Sequence, residues 1–240
     1  MPRTNAQQRP ADLSPYLSKL ALIAIPRAGI SLLGPIAQRY GWIGHYLPDT
    51  TAAPTGRARI DVTRMAEMLP PGTFLAGPIR HDEATTASLT TFRKILLVRD
   101  LRSILVSRLA LERRLKRHAS LAPVWQQKDL VGQMSLFLSK FGPVLFDEIL
   151  SILPWLTEPG IIAWRFEEML TPGDQLARMI ATTLRRDFNP PRDVLRLDIM
   201  SRRSANRRHF ADYWSNEAEK TFTAFGGPQM NRLLGYERES

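Results

Sequence analysis

An α/β fold, one domain with a central parallel β-sheet flanked by helices, is the architecture this sequence predicts. Three observations predict it. Short apolar runs of strand length recur at Leu20 to Ile25, Lys94 to Val98 and Ile161 to Phe166. Segments with helical apolar spacing lie between them. The runs end at helix-starting turns, Pro26-Arg27-Ala28-Gly29 after the first and Arg99-Asp100 after the second. Uninterrupted apolar strands suit burial on both faces, and strands alternating with helices suit a parallel sheet.

The elements follow in chain order. Residues 1–18, with Pro10 and Pro15, read as a loosely held leader, and residues 19–240 as the domain. After the first strand, Ile30 to Tyr40 has helical spacing, with Pro35 expected to limit or kink it. Residues 44–72 read as an irregular connection with one helical turn near Met65. Thr73 to Ala76 is a short strand and Asp82 to Phe92 a helix. The strand Lys94 to Val98 leads into a helix from Leu101 to His118, with apolar positions at Ile104, Leu105, Leu109, Leu111 and Leu115. Asp100 is its expected N-cap. Asp129 to Leu153 is helical and strongly apolar. After the strand Ile161 to Phe166, Pro172 to Arg185 is helical, residues 187–212 are basic and irregular, and Glu217 to Leu234 is helical with a break at Gly226-Gly227-Pro228.

Composition narrows the function. The 240 residues contain 33 Lys+Arg and 23 Asp+Glu, a formal net charge of +10, so anionic partners are expected. Eight arginines fall between Arg185 and Arg208, and a second basic concentration runs from Arg93 to Arg117. A solvated helix face is the ordinary explanation of such stretches. With no cysteine, disulfide frameworks, zinc–thiolate sites, iron–sulfur clusters and thiol nucleophiles are excluded. No apolar run has the length of a membrane span, so a soluble, cytoplasmic protein is expected.

In open α/β sheets ligands bind beyond the carboxyl ends of strands. The turn after the first strand, Pro26 to Ser31, combines a glycine, a helix start, Arg27 and Ser31, which together suit an anion. It is not a nucleoside-triphosphate loop. Gly29 and Gly34 have the spacing, but Pro35-Ile36 stands where Lys and Ser/Thr are required. In the turn after Val98, Arg99 at the strand end and Ser107 eight residues later can meet one phosphate from two sides. For each turn an ordinary structural role, a bare βα turn or a salt-bridged arginine, remains the alternative.

These segments resemble the sulfotransferases that use 3′-phosphoadenosine 5′-phosphosulfate (PAPS). Pro26 to Ser31 resembles that family's phosphosulfate loop, PKSGTT. Val98 to Ser107 resembles its 3′-phosphate motif, VRDPRDVLVS. Arg165-Phe166-Glu167-Glu168-Met169 resembles RYEDL. Arg203-Ser204-Ala205 and the stretch Phe210 to Ser215 resemble RKG…WRDYFT, and Leu233 to Glu237 resembles LGYE. The resemblance implies a P-loop-like sulfotransferase fold and transfer of a sulfuryl group from PAPS to an acceptor hydroxyl or amine, carbohydrate and lipid-linked acceptors included. It implies that Arg27 and the amides of Ala28, Gly29, Ile30 and Ser31 hold the 5′-phosphosulfate. It further implies that Arg99 and Ser107 hold the 3′-phosphate and that Arg203, Ser204 and Ala205 close over it. No metal is implied, and the partners are the nucleotide and an acceptor, with no specific nucleic acid.

The sequence departs from that pattern in places. Pro78 stands where the family commonly has a His base, which makes His81 the first candidate for the base and Glu83 the second. Arg27 replaces Lys as the cation beside the leaving phosphate, Ile30 replaces Thr, Leu32 replaces a frequent Trp and Ala205 replaces Gly. His45 is a further candidate for lining the acceptor pocket. A catalytically silent relative that binds the nucleotide or a partner protein is the alternative reading. The apolar segment 129–153 either covers the acceptor or forms a homo-oligomer interface. Trp42, Trp125, Trp155 and Trp164 are expected in the core.

Overall fold

The computed structural model describes residues 18–39, 41–48, 61–115, 125, 127–170 and 210–237. The leader, the basic stretch 185–208 with Arg203, Ser204 and Ala205, and the helix expected at Pro172 to Arg185 lie outside the described residues.

Five strands form one parallel sheet: β1 (Lys19–Ala24), β2 (Ile43–Tyr46), β3 (Thr73–Gly77), β4 (Phe92–Val98) and β5 (Ile161–Arg165), in the order β2-β3-β1-β4-β5. The helices are α1 (Ile30–Arg39), α2 (Val62–Met68), α3 (Glu83–Ser88), α4 (Leu101–Leu115), α5 (Leu130–Ile152), α6 (Asn216–Ala224) and α7 (Gly227–Leu233). The chain is a single α/β domain with helices flanking the sheet. In β1, β3 and β4 nearly every residue is buried, so both sheet faces are covered. The strands pack into one core that includes Phe74, Phe137, Phe222 and Trp155. Trp42, Trp125, Trp155 and Trp164 are all buried, as expected of core tryptophans.

Short polar side chains start the helices. Asp61, Asp82, Asp129 and Ser215 each accept a hydrogen bond from the backbone amide three residues on, and Asp100 does the same for Ser103 at 2.7 Å. Pro35 lies inside α1 and Pro143 inside α5, while Pro228 occupies the first turn of α7. The helix expected to be limited at Pro35 runs on to Arg39. The connection 44–72 is less irregular than the sequence suggests, because it contains β2 at its start. This strand is four residues long, half exposed and interrupted by Gly44, so it has neither the apolar run nor the alternation that marks a strand. The helix expected from Asp82 to Phe92 spans only Glu83–Ser88, since Phe92 already begins β4.

The basic concentration from Arg93 to Arg117 is only partly a solvated face. Arg108 and Glu112, one helical turn apart on α4, form a buried ion pair at 2.9 Å. Arg102 donates to both carboxylate oxygens of Glu219 on α6, at 2.6 and 3.0 Å, and pairs with Glu237 beyond α7. Asn231 of α7, fully buried, completes the junction. Its side-chain carbonyl accepts the Leu101 amide at 2.9 Å, and its side-chain amide donates to Asp100 at 2.9 Å. Replacing Asn231 with Leu leaves the Leu101 amide without its acceptor and takes one donor from Asp100, which keeps the Ser103 amide. We expect a loss of about 2–3 kcal/mol, read as a lower urea midpoint with unchanged slope.

Sheet order fixes where a ligand would sit. From β1 the chain goes through α1 to β2 on one side, and from β4 it goes through α4 to β5 on the other. β1 and β4 are neighbours, so the topological switch point lies between them, with a crevice beyond their carboxyl ends.

Candidate functional site

The turns after β1 and β4 meet in that crevice. Arg27 Nε donates to Ser107 Oγ at 3.1 Å, and an Arg99 terminal nitrogen approaches the Arg27 carbonyl oxygen at 3.4 Å. Ser107 has accepted one hydrogen bond and still has its own O–H to give. The family resemblance assigns Arg27 to one end of a nucleotide and Ser107 to the other. In the structure the two side chains touch, so they form one basic surface.

Arg27 sits at φ 73°, in the left-handed region that disfavours a side chain. Such strain persists only where the surroundings hold it. Gly29 follows at φ 120°, and a Cβ there would lie 2.6 Å from Met169 Cε and 2.8 Å from Phe166 Cδ2. Only glycine fits this position, on both grounds. The Ala28 amide closes the turn by donating to the Ile25 carbonyl at 2.9 Å, so it is already engaged and does not serve as an anion donor. The amides of Gly29, Ile30 and Ser31 have no backbone acceptor among the described residues, and they surround the N-terminus of α1.

Arg99 is the most unusual group of the site. Its guanidinium lies 4.2 Å from the centroid of the Phe166 ring, a cation–π contact. Its Nε is buried and has no hydrogen-bond partner among the described residues. Burial pulls its pKa below the ordinary arginine value, and the nearby carboxylates of Glu167 and Asp100 only partly oppose this. Arginine stays protonated under such a shift. The site thus holds a desolvated cation with a donor to spare, which suits an anionic ligand.

The turn after β5 roofs the loop. Phe166 packs against Gly29 on one side and Arg99 on the other, while Met169 is fully buried beside it. Glu168 accepts the Arg165 amide at 3.0 Å, and Glu167 accepts the Tyr236 hydroxyl. Phe166, Glu167 and Tyr236 receive no role from the sequence alone. The signal was present, because the segment 165–169 follows a strand's carboxyl end as the other two loops do.

The first base candidate, His81, is engaged elsewhere. His81 Nε2 lies 3.2 Å from Glu158 Oε2, its amide donates to the Ser151 carbonyl at 2.8 Å, and its ring meets Trp155 edge-on at 4.8 Å. Glu158 also faces Lys94 at 3.9 Å. Lys94 is in register with Ile161, the first residue of β5, and is four residues short of Val98. At about 3.3 Å per strand residue, roughly 13 Å of β4 separates this cluster from the carboxyl edge. The Trp155 indole donates to the Ile79 carbonyl at 2.9 Å, which turns the chain back after Pro78 and carries His81 away. Glu83 is exposed in the first turn of α3. His45 lies within β2, opposite Leu75 of β3.

Fold and loop geometry together define an α/β protein whose basic side chains gather at the switch point of a parallel sheet. A scan against protein-family models finds no match to this chain, and a search of curated proteins finds no relative. Among the described residues, no helix is long and apolar enough to cross a membrane.

Proposed function

We propose that this protein is a sulfotransferase that binds PAPS across the switch point between β1 and β4 and passes its sulfuryl group to an acceptor hydroxyl or amine. One observation carries the reading. Arg27, Arg99 and Ser107, brought together by contacts that span 72 and 80 positions in sequence, meet at the crevice where such sheets bind ligands. The orphaned Nε of Arg99 adds support, since a phosphate oxygen would satisfy it. The resemblance of these sequence segments supplies the identity of the nucleotide.

In this reading Arg99 and Ser107 hold the 3′-phosphate, and Arg27 with the helix-terminal amides of Gly29, Ile30 and Ser31 faces the 5′-phosphosulfate. The S–O bond to the 5′-phosphate breaks as the acceptor oxygen or nitrogen attacks sulfur in line. The acceptor loses its proton to solvent, and negative charge grows on the departing phosphate. A fixed guanidinium and helix-terminal amides stabilise that charge without reorganising. Arg203, Ser204 and Ala205 belong to this proposal through the resemblance alone. No described residue is assigned the proton-accepting role: His81 is engaged with Glu158, and Glu83 is exposed in the first turn of α3.

The placement of His81 favours a second reading, in which the chain binds the nucleotide without transferring sulfate. One pair of measurements separates the readings: equilibrium binding of 3′-phosphoadenosine 5′-phosphate, and transfer of labelled sulfate from PAPS to a panel of hydroxyl and amine acceptors. Binding with transfer is expected. Binding without transfer supports the silent relative, and absence of binding at low ionic strength defeats both.

Arg27 offers a separate test. Glycine at this position relieves left-handed strain of about 1 kcal/mol and offsets the lost contact to Ser107. Arg27→Gly is therefore expected to leave the thermal midpoint unchanged or slightly raised, while affinity for the bisphosphate falls about tenfold. A lower midpoint with unchanged affinity would mark Arg27 as merely structural.

A further inference from the structure

We infer that Tyr236 is a positioning residue whose hydroxyl holds the Glu167 carboxylate away from the Arg99 guanidinium, keeping Arg99 open to an anionic ligand. The inference rests on the donor-site reading and adds to it the device that keeps the site vacant of the protein's own anion.

Glu167 directly follows Phe166, whose ring is stacked on Arg99. A carboxylate so placed beside a partly desolvated cation is expected to pair with it. Yet no ion pair to Arg99 forms among the described residues. The Glu167 carboxylate instead accepts the Tyr236 hydroxyl. The phenol also lies 3.4 Å from the Val98 carbonyl, but its single proton favours the charged acceptor.

Tyr236 is held independently of Glu167. Its amide donates to the Asn231 backbone carbonyl at 2.9 Å, buried Leu234 precedes it, and Glu237 after it pairs with Arg102. The hydroxyl is therefore presented by the end of α7, which is locked to α4, and Glu167 comes to it. Burial and the neighbouring Glu167 both push the phenol's pKa up, so it remains a donor throughout the working pH range. Glu167 is in turn the largest charge opposing the effect of burial on Arg99. The two groups sense each other without being paired.

Without the hydroxyl, Glu167 has two cations to choose from. Arg165, with its guanidinium 5.5 Å from the Tyr236 ring centroid, is exposed and already hydrated. Arg99 is poorly hydrated and has an unused donor, so it gains more from a carboxylate. A Glu167–Arg99 fork would then compete with a phosphate for the same guanidinium.

Three variants and one structure test this. Tyr236→Phe is expected to weaken binding of 3′-phosphoadenosine 5′-phosphate about tenfold, with adenosine 5′-phosphate unaffected. Glu167→Gln is expected to strengthen it by about threefold, since it removes a negative charge near the phosphate. The double variant is expected to bind at least as tightly as the parent. If adding Glu167→Gln to Tyr236→Phe fails to restore binding, the hydroxyl acts only by docking the C-terminal segment, and the inference is overturned. A crystal structure of the Tyr236→Phe protein without nucleotide reads the geometry directly. Glu167 paired with Arg99 is expected, whereas Glu167 on Arg165 or still in its parental position overturns the inference. That structure decides the point even if the parent protein fails to bind the nucleotide, a result that would defeat the proposed function by itself.

Discussion

Arg99→Ala is expected to weaken binding of 3′-phosphoadenosine 5′-phosphate by about two to three orders of magnitude, the largest effect of any substitution at the site. A charge-assisted hydrogen bond contributes roughly 1.5–3 kcal/mol, and the guanidinium fork can make two of them to one phosphate. Each 1.4 kcal/mol is about tenfold in affinity. Stability should barely change. The variant loses the stacking of the cation on Phe166, about 1 kcal/mol, but it also removes a cation held away from water with one donor unsatisfied. The loss should be confined to nucleotides that carry the 3′-phosphate, so adenosine 5′-phosphate is the control ligand. Arg99→Lys should recover only part of the affinity, because a point charge keeps neither the fork nor the full stack. Calorimetric titration of parent and variants at one fixed salt concentration measures all of this. Equal weakening toward both nucleotides would remove Arg99 from the 3′-phosphate.

Arg102→Met should produce a large loss of stability, with little direct effect on the nucleotide site. Arg102 follows Arg99 closely in the same βα turn, so its sequence neighbourhood looks similar, but it faces the other way. It joins α4 to Glu219 of α6 and to Glu237, over the rings of Phe210, Trp214 and Phe222. The Trp214 indole donates to the same Glu219 carboxylate at 2.6 Å. Methionine would leave two carboxylates facing an aromatic cluster with their cation gone. A fully buried pair broken this way costs about 3–5 kcal/mol, and because Glu219 is more than a third exposed, water screens part of it. We expect about 2–3 kcal/mol, or a fall of roughly 4–12 °C in thermal midpoint.

The same variant carries a pH signature. The hydrogen bond from Arg102, and then that from Trp214, hold the Glu219 carboxyl below its ordinary range despite partial burial. A carboxylate with a depressed folded-state pKa stabilises the fold above its unfolded pKa, about 4.3, and loses that contribution as pH falls through the folded value. The stability gap between parent and Arg102→Met should thus be widest near neutrality and shrink below about pH 4. Urea unfolding at several pH values measures it, and a gap that does not narrow in acid would mean that Arg102 acts by packing alone.

The contrast between these two arginines shows how far the sequence can be read. Arg99 was identifiable as a candidate because the apolar run from Lys94 ends there, and a side chain at the carboxyl end of a parallel strand reaches the ligand crevice. The same rule, applied to Pro26 after β1, led to Arg27 and Gly29. Asp100 was legible as a cap because a short acidic side chain before a helical pattern satisfies local amides, and local groups are close in sequence. Arg102 gave no comparable sign. Its partners are 117 and 135 residues away, and nothing in the spacing of α4 indicates which face will meet α6.

His81 shows the same limit in reverse. Its position after β3 suggests a place beside the loop, but it pairs with Glu158, which also faces Lys94 of β4, and packs against Trp155 from the segment after α5. Phe166 and Tyr236 became parts of the site only once β5 paired with β4 and α7 docked on α4.

By itself the sequence determined the α/β class, the central strands, the Asp100 cap and the two turns from which Arg27, Arg99 and Ser107 project. These depend on periodicity, on a chain-breaking proline and on side chains that satisfy nearby backbone, all interactions of short range along the chain. Only the tertiary structure decided that Arg27 and Ser107 touch, that Phe166 roofs Arg99, that Tyr236 engages Glu167 and that His81 stands elsewhere. Those outcomes depend on strand order and helix docking, which bring together residues tens to more than a hundred positions apart, and local pattern carries no information about such contacts.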